Sequence, residues 1–180
     1  MYIWIACDIS DEYTSIRQKC IGYNKDLNLD EVAFLLPQHI SLKISFRVED
    51  NSFESVIKDV IVFLSECSPF SVGEPEPELS GNILWLSFPK SKHLQDLHSK
   101  LDLMLLSKHG VEQHPFDRDF KFHTTLFLDD NMSALREMLG KVRLLPLPKA
   151  TEIKRFIIGA SESGKAGTYS VLKIVNAKCK

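Results

Sequence analysis

A chain of 180 residues, 44% hydrophobic and 26% charged, has the length and balance of a single globular domain able to bury its own core. Its formal net charge of -2 and pI near 6.3 exclude a general basic field that would hold long duplex nucleic acid by counterion release, and favour a small or terminal ligand. The four cysteines, Cys7, Cys20, Cys67 and Cys179, form no C-x-x-C pair, which argues against a disulfide framework or a zinc site and suits a reducing compartment, so they are read as buried or idle thiols.

Residues 1–6 are apolar but short, lack a basic lead and run straight into Asp8, a poor pattern for a signal peptide and too short for a membrane span. A cytoplasmic, monomeric protein without membrane contact is expected. Residues 2–9 read as a strand, with Ile3, Ile5, Cys7 and Ile9 on one face and Tyr2, Trp4, Ala6 and Asp8 on the other. Ser10 offers an N-cap, and Tyr13, Ile16, Cys20, Tyr23 and Leu27 then recur at helical steps. After Pro37, residues 39–46 alternate strictly, so His39, Ser41, Lys43 and Ser45 are expected on one face and Ile40, Leu42, Ile44 and Phe46 on the other. A helical stripe follows through Phe53, Val56, Ile57, Val60 and Leu64, then residues 70–79, where Pro75 and Pro77 confine any strand to a sheet edge.

Ser80-Gly81-Asn82 reads as a turn, after which the order begins again. Residues 83–88 form a strand, and Leu94, Leu97, Leu101 and Leu105 a helical stripe. A second alternating strand spans residues 121–128, with His123, Thr125 and Phe127 sharing a face, and a helix through Leu135, Met138, Leu139 and Val142 starts near Asn131. Strands at 152–160 and 169–175 complete the chain. The whole reads as α+β: one domain over 1–180 made of two lobes, about 2–80 and 82–176, with pseudo-symmetric, mostly antiparallel sheets flanked by helices and a cleft between them.

Each lobe carries a His-x-Ser/Thr motif on a strand, where a step of two residues sets imidazole and hydroxyl side by side. Two imidazoles facing one cleft suit in-line displacement at phosphorus: at neutral pH one accepts the proton of the attacking water or ribose hydroxyl while the other protonates the leaving oxygen. Ser41 and Thr125 would hold the non-bridging oxygens as charge develops. One such motif among six histidines carries little meaning. Two of them, at matching places in a repeated order of elements, point to a paired site.

The chain here resembles the 2H phosphoesterases, a family that includes bacterial 2′-5′ RNA ligase-like enzymes and 2′,3′-cyclic nucleotide phosphodiesterases. The resemblance runs nearly end to end. It is carried by His39-Ile40-Ser41-Leu42 and His123-Thr124-Thr125-Leu126, by Asn82-Ile83-Leu84-Trp85-Leu86-Ser87 followed by Leu94 and Leu97-His98, and by Gly159-Ala160-Ser161 leading to Tyr169-Ser170-Val171-Leu172. Ser41 stands where threonine is commoner, and Phe122 where the family often has proline. The resemblance implies a bilobal fold, His39 and His123 as the acid and base pair, Ser41 and Thr125 on phosphate, and no metal or other cofactor. The substrates it implies are nucleotides or RNA ends, with a 2′,3′-cyclic phosphate favoured and weak reverse 2′-5′ ligation expected. The alternative in another class is a nucleotide-binding module that uses the same cleft without turnover.

Lys43 and Phe127 project, by alternation, to the motif faces. Lys43 is expected to attract phosphate and Phe127 to stack on a base, a contact worth about 1–3 kcal/mol; the competing reading is a solvated lysine and an aromatic packed under a loop. Residues 159–166 nearly fit a phosphate-binding loop, but Ala166 replaces the hydroxyl residue and a strand follows, so a hairpin loop is expected. His93, His98, His109 and His114 are read as surface residues, and no carboxylate or histidine cluster suited to a metal-dependent hydrolase is seen.

Overall fold

The computed structural model describes residues 1–178; Cys179 lies outside them. Among the described residues, nine strands form three antiparallel sheets. The first strand, Tyr2–Asp8 (β1), is apolar on both faces and therefore takes an interior place. It pairs on one side with His39–Arg47 (β2) and on the other with Arg155–Ser161 (β8), which carries Ser170–Asn176 (β9) at its outer edge. The second sheet joins Glu76–Ser80 (β4), Ile83–Ser87 (β5) and His123–Leu128 (β6) in that order. A ribbon of Phe70–Gly73 (β3) and Ala150–Ile153 (β7) forms the third. Pro75 and Pro77 do fall at a sheet edge, on and just before β4.

The helices are Ser10–Asn24 (α1), Phe53–Ser65 (α2), Lys92–His109 (α3) and Met132–Val142 (α4). Each buries most of its expected apolar stripe; Tyr23, Phe53 and Leu139 are half-buried, and Leu27 falls beyond the end of α1. Among the described residues, no helix is long and apolar enough to cross a membrane. Asn131 caps α4 as expected, accepting from the Ala134 N–H at 3.1 Å. At α1 the N-cap is Ile9, one residue earlier than expected, and no side chain caps the helix. Ser10 is already helical, and the Asp8 carboxylate accepts from both its N–H (2.9 Å) and its hydroxyl (2.6 Å).

The order strand, helix, strand, helix occurs twice, as β1-α1-β2-α2 and β5-α3-β6-α4, but the sheets are completed by exchange. The β4–β5 hairpin spans residue 81, and the last hairpin, β8–β9, returns to β1. Helices exchange too: α3 packs on β2 and α2, while α1 packs on α4, which covers β4 and β5. The expected single strand over 152–160 is two, because the chain leaves the β3–β7 ribbon and enters the four-stranded sheet at Lys154. The loop at 162–169 is the expected hairpin connection, its turn held by Ser161 Oγ, which accepts from the Gly164 N–H at 3.0 Å.

Candidate active site

His39 opens β2 and His123 opens β6. The carbonyl two residues upstream orients each ring in the same way: His39 Nδ1 lies 2.8 Å from Pro37 O, and His123 Nδ1 lies 2.7 Å from Lys121 O. A carbonyl only accepts, so each Nδ1 carries its hydrogen, and Nε2 is left as the proton-transfer atom in both rings. An indole flanks each imidazole, Trp4 at 4.5 Å from His39 and Trp85 at 4.2 Å from His123 between ring centroids.

Gln38 joins the two motifs directly. Its buried side-chain amide donates to Thr124 Oγ1 (2.8 Å) and Thr125 O (2.9 Å) on β6, while the Gln38 backbone carbonyl accepts from the Ile9 N–H at 3.0 Å. Gln38, the residue before His39, is thereby tied to the two residues after His123. Burial lowers the basicity of His39, the Pro37 carbonyl opposes this, and the charge of His123 lowers it further. Burial lowers His123 as well, opposed by the Lys121 carbonyl and by Glu78. Ser41 and Thr125 are half-buried beside the imidazoles, and their hydroxyls make no hydrogen bond among the described residues, so both can donate to a ligand.

Trp4 reaches His39 because the backbone opposite it is bare. Gly159 on β8 is the partner of Trp4, and a Cβ built there would stand 2.1 Å from the indole Nε1. This glycine serves close approach and not a turn.

Lys43 and Phe127 do not reach this surface, and the expectation that they touch substrate is corrected. In β2 the register steps from Ala6–Ser41 to Ile5–Lys43, leaving Leu42 as an extra residue; in β6 it steps from Trp85–Thr125 to Leu84–Phe127, leaving Leu126 as its counterpart. A β-bulge therefore follows each His-x-Ser/Thr motif at the same place. It turns two successive side chains to the same side, so Leu42 and Lys43, like Leu126 and Phe127, are buried. Phe127 packs edge-on against Phe34 of the short 3-10 helix Val32–Leu35 before β2, with centroids 5.1 Å apart, so it is a packed aromatic and not a stacking platform. Lys43 is 2% exposed and is not solvated.

Lys43 lies instead among residues that pattern reading placed elsewhere. Its ammonium is 2.8 Å from Asp102 Oδ1 and hydrogen-bonds Asp117 Oδ2. His98, expected on the surface, is 5% exposed and stands beside them. His98, Asp102 and Asp117 thus form a cluster of the kind that the sequence reading did not find. The Lys43 ammonium meets both carboxylates. A signal did exist: His98 and Asp102 fall on the same helical face as Leu94, Leu101 and Leu105, where polar side chains need partners. Gln38 had no comparable signal, and its role depends on β6 being adjacent.

No protein-family model matches the sequence. A Bacillus cereus protein named "Putative phosphoesterase" is 25% identical over 148 residues, spanning 78% of this chain and 79% of that protein. Among solved structures, Escherichia coli LigT complexed with 3′-AMP aligns with a TM-score of 0.64 at 16% identity, over 98% of both chains. A crystal structure of a phosphoesterase aligns at 0.66, also at 16% identity and 98% of both chains. LigT has also been solved with NADP+ and with ATP. At these identities the structural matches establish the fold: the α+β arrangement of antiparallel sheets is that of LigT. The resemblance first drawn from the motifs is thus met again in sequence relatives and in architecture.

Proposed function

We propose that the chain is a phosphodiesterase in which His39 and His123 act as a general acid and base pair on a 2′,3′-cyclic phosphate at the end of an RNA or nucleotide. The observation that carries this reading is the matched pair of imidazoles: both are fixed through Nδ1, leaving Nε2 for proton transfer, and Gln38 links the strands that present them. One Nε2 takes a proton from water as its oxygen bonds to phosphorus. The other gives its proton to the ribose oxygen as the P–O bond of the ring breaks, leaving a phosphate monoester and a free hydroxyl. Ser41 and Thr125 donate to the non-bridging oxygens, where negative charge grows. The 3′-AMP bound by LigT is of the same class as the product.

The proposal includes catalysis without a metal ion, slow 2′-5′ joining of RNA ends by the same steps reversed, and a single domain of two pseudo-symmetric lobes with matching bulges. It also includes a cytoplasmic monomer, in line with the free thiols of Cys7, Cys20 and Cys67. The test is hydrolysis of 2′,3′-cyclic nucleotides and a short cyclic-phosphate RNA with chelator present. Turnover is expected. Turnover only after a divalent cation is restored would overturn the metal-independent reading, and nucleotide binding without turnover would establish the binding module instead.

The depressed basicity of both histidines fixes the sign of a pH dependence. Loss of rate on the acid side follows protonation of the base, and loss on the alkaline side follows deprotonation of the acid. Both groups titrate below the ordinary value of about 6.5, so kcat/KM is expected to fall already as pH rises from about 6 to 8. The kcat profile is expected to lie at higher pH, because bound phosphate stabilises imidazolium. A kcat/KM profile flat to pH 8 would contradict this electrostatic reading.

A further inference from the structure

A second link between the two motifs runs through the buried cluster between β2 and α3. Lys43 immediately follows the bulge residue of the first motif, and its ammonium reaches two separate elements: Asp102 on α3 and Asp117 in the turn Pro115–Asp119. His98 ties the same places together through its ring, with Nδ1 2.7 Å from Leu42 O at the bulge and Nε2 3.2 Å from Asp117 O. Asp117 Oδ2 also accepts from the His114 N–H at 2.7 Å, closing the turn on itself.

That turn leads directly into His123. Phe120 stacks on His98 with centroids 4.5 Å apart, Phe122 meets it edge-on at 6.1 Å, and Phe122 O accepts from the Phe88 N–H at 2.8 Å. Lys121, whose carbonyl orients His123, lies between these two anchored phenylalanines. Among the described residues the counterpart bulge in β6 carries no ion pair, Phe127 packing instead on Phe34, so the ionic link is particular to the first strand. A buried ion pair contributes little net stability over well-packed apolar groups of the same volume, because desolvation offsets the attraction. What directed contacts add here is a fixed distance between β2 and the entry to β6.

We infer that Asp117, acting through Lys43 and His98, is a positioning residue that sets where His123 Nε2 stands relative to His39. This rests on the reading that the two histidines work as a pair. Asp117→Asn keeps the shape of the side chain and leaves Lys43 matched one to one with Asp102, so the fold is expected to survive. The first readout needs no turnover: the His39 midpoint is followed by NMR with and without His123→Asn, in the native and the Asp117→Asn backgrounds. The effect of His123 on His39 is expected to shrink by about half or more in the variant, because interaction between charges weakens as they separate. The second readout is a split in kinetics, kcat falling about 10–100-fold while KM stays within about 3-fold, as misplacement of a catalytic group by about 1 Å would give.

An unchanged influence of His123 on His39 in the folded variant overturns the inference. So does a loss in which the histidine coupling is intact and only thermal stability drops. If Asp117→Asn does not fold, Lys43→Arg, which keeps the charge and alters the geometry, is read by the same two measurements. If the unmodified protein turns over no cyclic phosphate, the catalytic reading fails, while the NMR comparison still decides whether Asp117 positions His123.

Discussion

His39→Ala and His123→Ala are each expected to lower kcat for a cyclic phosphodiester by about 10²–10⁴-fold, and the double variant to lose little beyond the worse single one. The size follows from removing one proton-transfer group from the transition state. The lack of additivity follows from shared work: once the leaving oxygen cannot be protonated, a base that deprotonates water has little left to accelerate. Collapse of the fold is not the expected cause. Each imidazole is half-buried at the first position of its strand and held by a single hydrogen bond, to Pro37 O or Lys121 O, so each alanine variant should melt within a few degrees of the native protein. Losses that multiply in the double variant, or a single variant that keeps activity, would mean that the two rings do not act in one step.

Much of this site can be read in the linear chain, because paired His-x-Ser/Thr motifs on alternating strands need only the strand period and the acid–base chemistry of imidazole. The bulges cannot be read in the same way. From His39 to Phe46 the polar and apolar residues alternate without a break, and an inserted residue at Leu42 leaves that pattern unchanged while it turns Lys43 into the core; a second shift between Lys43 and Phe46 then returns Ser45 to solvent and Phe46 to the buried face. The charge of Lys43 itself points to the solvent face, because a lysine is almost never fully buried unless it is paired. Its partners Asp102 and Asp117 belong to the other half of the chain, and nothing local to β2 announces that α3 packs behind it. Phe127 has the same history, its neighbour Phe34 coming from the short 3-10 helix before β2. The split between β7 and β8 was hidden for a related reason: buried residues occur on both sides of Lys154, and only pairing partners show that they belong to different sheets.

Lys43→Ala separates the two accounts of this lysine most sharply. A solvent-facing phosphate contact would give a raised KM and an unchanged melting temperature. The buried position predicts the reverse. Removing the ammonium leaves the carboxylates of Asp102 and Asp117, 2% and 6% exposed, without their cation, and breaking a buried pair in this way costs about 3–5 kcal/mol. For a chain of this length that corresponds to a fall of roughly 10 °C in Tm, measured by thermal unfolding. Replacing the cluster as a whole distinguishes stability from geometry. Lys43→Met combined with Asp102→Leu and Asp117→Leu removes every charge at once, so most of the lost stability should return, as apolar replacement of buried ion networks allows. The kcat should stay low, because the directed link between the bulge after Ser41 and the turn before His123 is gone. Recovery of both together would show that the cluster only fills space, and that the separation of the two histidines is set by Gln38 alone.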